Sequence, residues 1–297
     1  MSRHLKEGKM EEFKSIGNDI SDGNDANKCH YTFRLDTYGR GCAHDCSYCY
    51  AKSMLDFRKL WNPAKPSVTD ISKIAKEIRR INPKEVKAVR LGGMTDCFQP
   101  IEKLHRITYK TIRLLNKRRI PYLIVTKSAM VADDEYMAIY DNDLAHIQVT
   151  VTTLDDDLCA TYEKASPPSE RIKAILKLQE AGFDVQLRLS PFIPQYVDFD
   201  KLNGLGIDKI LVEFLRANSW IQKWFDIDYS EYTVKQHGYI HLPLEKKIEW
   251  MKKITGFKEI TVGEDEERAY AYWRDHFNPN PNDCCNLRRN DSGQIED

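Results

Sequence analysis

The chain carries the stretch Gly41-Cys42-Ala43-His44-Asp45-Cys46-Ser47-Tyr48-Cys49-Tyr50, in which three cysteines follow one another as C-x3-C-x2-C. Three is an odd number and loops this short strain a disulfide, so the stretch is no disulfide framework. Soft thiolates set this close together suit one metal centre. Iron–sulfur clusters are held by cysteine thiolates, and a [4Fe–4S] cube normally takes four. Three thiolates from one loop leave one iron open to a ligand that the protein does not supply. A zinc knuckle would use Cys46 and Cys49 as one half-site and needs a second pair. Cys284 and Cys285 are adjacent, the wrong spacing for that pair.

Around this loop the composition sets limits. The 297 residues carry 45 basic and 45 acidic side chains, a net charge of zero. There is no global polycationic field, so a nucleic-acid partner would have to be met by a local patch. A hydrophobic content of 41% supports a sizeable core in one large domain or two small ones. No apolar run is long enough to cross a membrane, and the polar start does not read as a secretory signal. Thiols arranged as ligands predict a reducing, cytoplasmic setting.

Outward from the loop, residues 1–30 are polar and turn-rich and are expected to form an N-terminal arm. Residues 31–35 read as a strand leading into the cysteines. The pattern predicts a helix over 70–80, capped by Ser67 or Thr69, with Ile71, Ile74, Ala75 and Ile78 at helical spacing. A strand over 87–91 follows, then a helix over 102–117 with Leu104, Ile107, Ile112 and Leu115 inside, and a strand over 122–125. The alternation continues with a helix over 133–140, a strand over 146–152, a helix over 169–181 closed by Gly182, and a strand over 185–189 ended by Pro191. A connection over 200–204 leads to a strand over 209–214. Six strands alternating with helices predict parallel βα units. The last part, 216–297, reads as a C-terminal extension with a helix over 244–254 and a strand over 259–262. Its aromatic residues, Trp220, Trp224, Phe225, Tyr229, Tyr232 and Tyr239, together with His241, suit either closure of the barrel or base stacking.

The cysteine spacing, with Tyr48 before the third cysteine, resembles the radical S-adenosylmethionine (radical SAM) superfamily. The resemblance implies an α/β fold, a partial (β/α)6 TIM barrel over residues 31–215, and two cofactors: a [4Fe–4S] cluster on Cys42, Cys46 and Cys49, and S-adenosyl-L-methionine on its open iron. It also implies that an electron from the cluster splits the sulfonium to give a 5′-deoxyadenosyl radical, and that a reductase or flavodoxin-type donor supplies that electron. Thr95-Asp96-Cys97-Phe98-Gln99-Pro100-Ile101-Glu102 and Glu163-Lys164-Ala165-Ser166-Pro167-Pro168-Ser169-Glu170-Arg171 further resemble the spore photoproduct lyase-like branch. That branch implies a lyase-like, DNA repair-like reaction on a nucleic acid or nucleotide, with a cysteine thiol returning hydrogen.

In a βα barrel the chemistry gathers at the C-terminal ends of the strands. The residues expected there are Gly92 and Gly93, which let backbone approach a ligand, and Lys127, a cation suited to a carboxylate. Thr150 and Thr152 share one face of a strand and suit a ribose or carboxylate. By resemblance, the Gly-Gly pair meets the amino group of S-adenosylmethionine. Arg188 and Glu213 are expected on the rim, either as substrate groups or as an inter-strand ion pair. Cys97 is the candidate hydrogen donor, against the alternative of a small buried hydrophobe. Cys159 reads as incidental, and Cys284-Cys285 as a lid over the barrel, a second metal site with Cys29, or a redox-labile pair. Basic runs at Lys73, Lys76, Arg79, Arg80 and at Lys110, Arg113, Lys117, Arg118, Arg119 read as solvated helix faces. Radical chemistry on a nucleoside or other small metabolite, and a non-catalytic metal-stabilised binding protein, are the alternative functions.

Overall fold

The computed structural model describes Tyr31 and residues 33–288; the expected N-terminal arm, with Cys29 and Thr32, lies outside the described residues. Seven strands make one sheet in chain order: β1 (Phe33–Leu35), β2 (Val89–Leu91), β3 (Tyr122–Thr126), β4 (Ala145–Val151), β5 (Asp184–Phe192), β6 (Lys209–Phe214) and β7 (Glu259–Gly263). Every neighbouring pair is parallel. The order ends at β1 and β7 without closing, so the expected α/β partial barrel is present. β7 falls in the stretch read as an extension, yet it continues the sheet, with Glu259 opposite Lys209 and Gly263 opposite Glu213.

The helices are α1 (Tyr50–Leu55), α2 (Ile71–Arg80), α3 (Glu102–His105), α4 (Ile107–Lys117), α5 (Asp134–Met137), α6 (Asp156–Ala160), α7 (Pro168–Glu180), α8 (Phe199–Asn203), α9 (Ser219–Trp224), α10 (Leu244–Met251) and α11 (Glu267–His276). The period-2 alternation of the strands sorts their side chains between two environments. Ile147, Val149, Val185, Leu187, Ile210 and Val212 are buried in the apolar core. The residues between them face the barrel interior and pair with one another. His146 Nδ1 lies 2.6 Å from Asp184 Oδ2, and Lys209 Nζ lies 3.0 Å from Asp184 Oδ1. One step along the strands, Gln148 Nε2 donates to Gln186 Oε1 at 2.9 Å. One step further, Arg188 pairs with Glu213 and donates to Gln148 Oε1 at 2.6 Å. Polar groups away from water persist only when partnered, and this half of the interior is a ladder of partners.

Several boundaries differ from the sequence expectation, each for a local reason. The cap of α2 is Asp70, whose carboxylate accepts from Ser72 N at 2.8 Å. Thr69 instead donates to Asp36 O at 2.9 Å, and Ser67 sits in a short antiparallel ladder with Gly39. The helix expected over 102–117 is broken at Arg106, where φ is +54°. Glu102 causes the break to pay off energetically: fully buried, it accepts from Thr108 N and Tyr109 N, both at 2.9 Å, and so caps α4 from the preceding turn. It also accepts from Tyr136 Oη at 2.6 Å and from Tyr38 Oη. The break turns Leu104 outward, 77% exposed, where an inward residue was expected.

β5 runs through Pro191 to Phe192, and its register with β6 is irregular between Leu189 and Phe192, the kind of place where a proline without an N–H is tolerated. The connection over 200–204 is the short helix α8, capped by Asp198 accepting from Lys201 N at 3.1 Å. The helix over 133–140 shortens to α5, preceded by a 3-10 turn at Ala129–Ala132. The C-terminal aromatics divide: Phe225 and Tyr232, like His241, are buried, whereas Trp220 is 41% exposed.

Glu102→Ala leaves two main-chain N–H groups and two hydroxyls without their acceptor. The expected loss is about 3–5 kcal/mol, with Glu102→Gln losing less. Chemical denaturation midpoints measure it, and a shift below about 1 kcal/mol for the alanine variant contradicts the capping account.

Candidate active site

The cysteine loop is positioned by main-chain ties on both flanks. Asp45 N donates to Cys42 O at 3.1 Å and Cys49 N to Cys46 O at 3.2 Å. Ser47 N reaches Tyr162 O at 2.9 Å and Lys164 N reaches His44 O at 2.7 Å, tying the loop to the segment after α6. From the other side, Gln99 Oε1 accepts from Ala43 N at 3.0 Å. Gly41 is required by close approach, since a Cβ there would lie 2.0 Å from Asn62 O.

The loop opens on a cavity of about 320 Å³. Cys42, Cys46, Cys49 and Tyr48 line it, as do Gly92, Gly93, Lys127, Thr150, Arg188 and Glu213 from the strand ends. Gly92 has φ +83°, and a Cβ there would lie 2.5 Å from Val125 O. Lys127 Nζ donates to Ser190 O at 3.2 Å, and Ser190 Oγ donates to Glu213 Oε2 at 2.8 Å. Arg188 and Glu213 form the inter-strand ion pair and face the cavity as well.

Two expected residues are elsewhere. Cys97 does not line the cavity: its side chain is fully buried in the apolar core, and its carbonyl accepts from Thr108 Oγ1 at 2.6 Å. Its neighbour Asp96 takes the cavity side instead. Thr152 lies one residue past β4 and shares a 2.8 Å hydrogen bond with Tyr162 Oη. Cys159, read as incidental, is buried with its thiol 2.8 Å from Glu163 Oε1; burial and that carboxylate push it up to about 12.

The residues that spacing did not single out are the braces. Glu163 is fully shielded from water and pairs with Arg171, itself fully shielded, at 2.5 Å. Its other oxygen accepts from Tyr48 Oη and lies 3.8 Å from both Cys46 Sγ and Lys127 Nζ. Burial works to raise this carboxyl, but Lys127 and Arg171 outweigh it and hold it at about 2. Asp96 accepts from Thr126 Oγ1 at 2.7 Å and Lys127 N at 2.6 Å, and lies 3.3 Å from His44 Nδ1. Asp36 accepts from Met94 N at 2.8 Å and Thr95 N at 3.0 Å, fixing the Gly92–Gly93 turn. Arg34, Arg90 and Arg216 add cations to the cavity wall. Arg34 and Arg90 hold alternate-face positions opposite each other on β1 and β2, the signal that the sequence offered.

Cys284 and Cys285 also line the cavity. Cys285 is buried against Tyr31, Ala88, Leu123 and Leu211. Asp283 Oδ1 holds the turn, accepting from Tyr31 Oη at 2.6 Å and Cys285 N at 3.0 Å. The adjacent thiols thus form part of the wall, where a lid had been one expectation.

The donor set fits a cluster. Among the described residues no trio of His, Cys, Asp or Glu gathers tightly enough to grip a single ion. The three loop thiols instead share the wall of a cavity with room for a larger group. Burial pushes all three thiols up, so a bound metal centre is what would hold them as thiolates. The buried Arg34 Nε and His44 Nδ1 have no hydrogen-bond partner, and both residues line the cavity, as a polar ligand's site would require.

The family model of the Radical SAM superfamily matches residues 37–198. The chain belongs to the radical SAM superfamily. An uncharacterised protein of Methanocaldococcus jannaschii is 27% identical over 172 residues, 55% of this chain and 62% of that protein, so the match spans less than two thirds of this relative. An uncharacterised protein of Acidianus two-tailed virus is 22% identical over 237 residues, 71% of this chain and 73% of that one. Among solved structures, a spore photoproduct lyase complexed with dinucleoside spore photoproduct has a TM-score of 0.58 at 16% identity, covering 86% of this chain and 79% of its own. SuiB of Streptococcus suis has a TM-score of 0.53 at 14% identity, covering 80% and 50%. These likenesses establish the fold shared with radical SAM enzymes.

Glu163→Ala leaves Arg171 buried and unpaired, and the expected loss of stability is about 3–5 kcal/mol in the metal-free protein. Glu163→Gln, which keeps an acceptor for Tyr48 Oη, is expected to lose less. Denaturant titration decides it; a cost under about 1 kcal/mol for alanine would show that Arg171 finds another partner.

Proposed function

We propose that this chain is a radical SAM enzyme that acts on a nucleic acid or nucleotide. Cys42, Cys46 and Cys49 would hold one [4Fe–4S] cluster, and Gly92, Gly93, Lys127 and Thr150 would receive S-adenosylmethionine. Together the bound cofactors supply a 5′-deoxyadenosyl radical that takes hydrogen from the substrate. The observation that carries this reading is the convergence of the three loop thiols and the strand-end residues on one cavity. The described residues contain no helix long and apolar enough to cross a membrane, which accords with a cytoplasmic enzyme served by a flavodoxin-type donor.

The chain's own residues have distinct tasks. Tyr48 packs on Tyr162 and Phe225 at ring centroid distances of 5.8 and 5.6 Å, and its hydroxyl is tied to Glu163, so the cluster loop is held on two sides. Lys127 offers its ammonium to a carboxylate, with its stem fixed between Ser190 O and Glu163. Arg188 and Glu213 cancel each other's charge and leave directional donors and acceptors on the wall, suited to orienting a base or sugar. Cys284 and Cys285 replace Cys97 as the thiols placed to return hydrogen to a substrate radical: one S–H bond breaks, one C–H bond forms, and the unpaired electron stays on sulfur. The size of the cavity and the net charge of zero favour a free nucleoside or small metabolite as the second reading.

Anaerobic reconstitution with iron and sulfide, reduction, and assay of 5′-deoxyadenosine test the reading. Wild type is expected to form it and Cys46→Ala is not. Absence of product from a wild-type protein that holds zinc and no sulfide would instead support a metal-stabilised binding protein.

The two thiol assignments separate in the same assay. With a turning-over substrate, Cys285→Ala is expected to divert product at least tenfold while leaving 5′-deoxyadenosine formation intact, and Cys97→Ala is expected to leave both unchanged. The reverse pattern returns the donor role to Cys97.

A further inference from the structure

From an aromatic and cationic surface beside the cavity mouth, we infer that α1, the turn after it, and α9 form the docking face for single-stranded nucleic acid. This rests on the nucleic-acid reading above and names where the strand outside the cavity lies. Large apolar side chains are rarely exposed without cause, yet Met54 is 45%, Phe57 58% and Trp220 41% exposed. All three belong to these two neighbouring elements, which are joined by Asn218 Nδ2 donating to Ser53 Oγ at 3.0 Å. Trp220 and Trp224 stand one helical turn apart with ring centroids 5.9 Å apart.

Cations sit over these rings. Lys52 Nζ is 5.0 Å from the Trp224 centroid, Lys223 Nζ 5.3 Å from Trp220, and the Arg58 guanidinium 5.1 Å from Phe57. Arg58, Lys59 and Lys223 make no ion pair among the described residues, whereas the outer-helix cations Arg80, Arg106 and Arg119 all do. Rings for bases with unneutralised cations for phosphates are the components of a sequence-tolerant single-strand site. The face is continuous with the cavity: α1 begins at Tyr50 and α9 follows Arg216, both of which line the cavity, with the Arg216 guanidinium 5.8 Å from the Tyr50 ring centroid. A strand lying on this face therefore passes the opening through which one of its nucleotides would enter.

The test is fluorescence anisotropy of a labelled oligothymidylate titrated with the full-length reconstituted protein at several salt concentrations. Trp220→Ala and Phe57→Ala are each expected to weaken binding about tenfold, as loss of a stacked base does. Lys223→Ala is expected to make the log–log salt dependence shallower by about 0.7. Leu104→Ala, the 77% exposed residue on α3, is expected to change nothing. All variants should form 5′-deoxyadenosine without substrate at the wild-type rate. Unchanged binding in all three variants overturns the docking face and leaves the nucleic-acid reading standing. No binding by wild type, with active 5′-deoxyadenosine formation, overturns both. Variants that lose affinity for an acidic flavodoxin-type carrier but keep oligothymidylate would assign the face to the electron donor and also overturn the proposal.

Discussion

A carboxylate that water does not reach, Glu163, fixes the geometry on which the site depends. It lies between α6 and α7, over a hundred residues from the cysteine loop, and joins Arg171, Cys159, Tyr48, Lys127 and the neighbourhood of Cys46 at one point. An isolated buried carboxylate would take up a proton sooner than stay charged. This one stays ionised because two cations converge on it, and they can converge only when α7 and the end of β3 are in their final places. The bonds of Arg171 to Thr150 O and Ser166 O, at 3.0 and 2.5 Å, extend the same requirement to β4 and the loop before α7. A buried ion pair adds little net stability over a well-packed apolar substitute, but it makes the alternatives costly, because any packing that separates the partners strands a charge. The loop that carries the three thiols is therefore placed by charge satisfaction as much as by its own turns.

The barrel interior follows a related logic. An open sheet of seven parallel strands leaves an inner space that side chains must fill, and here one half of it is filled by hydrogen-bonded polar layers. The layers leave the strand ends rigid at the rim, so Arg188 and Glu213 enter the cavity with orientations already set. At the level of Leu123 and Leu211 the space is closed by residues from the far end of the chain, with Tyr31 and Asp283 bonded across 252 positions of sequence. Arg288 N bonds Asp184 and Asn286 Nδ2 bonds Glu259, so this segment completes the polar layers as well as plugging them.

The cysteine spacing and the βα alternation were legible because each is local: ligands in one loop, and a period of two or 3.6 in adjacent residues. Gly92-Gly93, Lys127 and Arg188 were reached by placing them at strand ends, which needs only the order of elements. What failed was information held across the chain. The break at Arg106 depends on Glu102 finding Tyr38 and Tyr136, neither of which its own helix contains. Cys97 follows the right strand but points away from the cavity, since alternate residues in a turn face opposite ways. Cys284 and Cys285 reach the cavity through a return of the chain that no periodicity announces. Thr95-Asp96-Cys97-Phe98-Gln99 marked the branch correctly, and the reason is now physical: Asp96 braces β3 and Gln99 braces the cysteine loop.

A net charge of zero gave the weakest guidance about the partner, because it averages over positions with different neighbours. Arg119 faces Asp141 and Asp143, Arg106 faces Glu135, and Lys177 faces Asp134, so the cations of the outer helices are neutralised where they stand. The field left over comes from the few cations without such partners, and it is short-ranged, since salt screens charges beyond about 8–10 Å. Those cations gather on one face together with exposed aromatic rings, next to a cavity whose own wall carries Arg34, Arg90, Lys127, Arg188 and Arg216. For an anionic partner, what matters is that arrangement and not the sum, and a neutral chain can present it as well as a basic one.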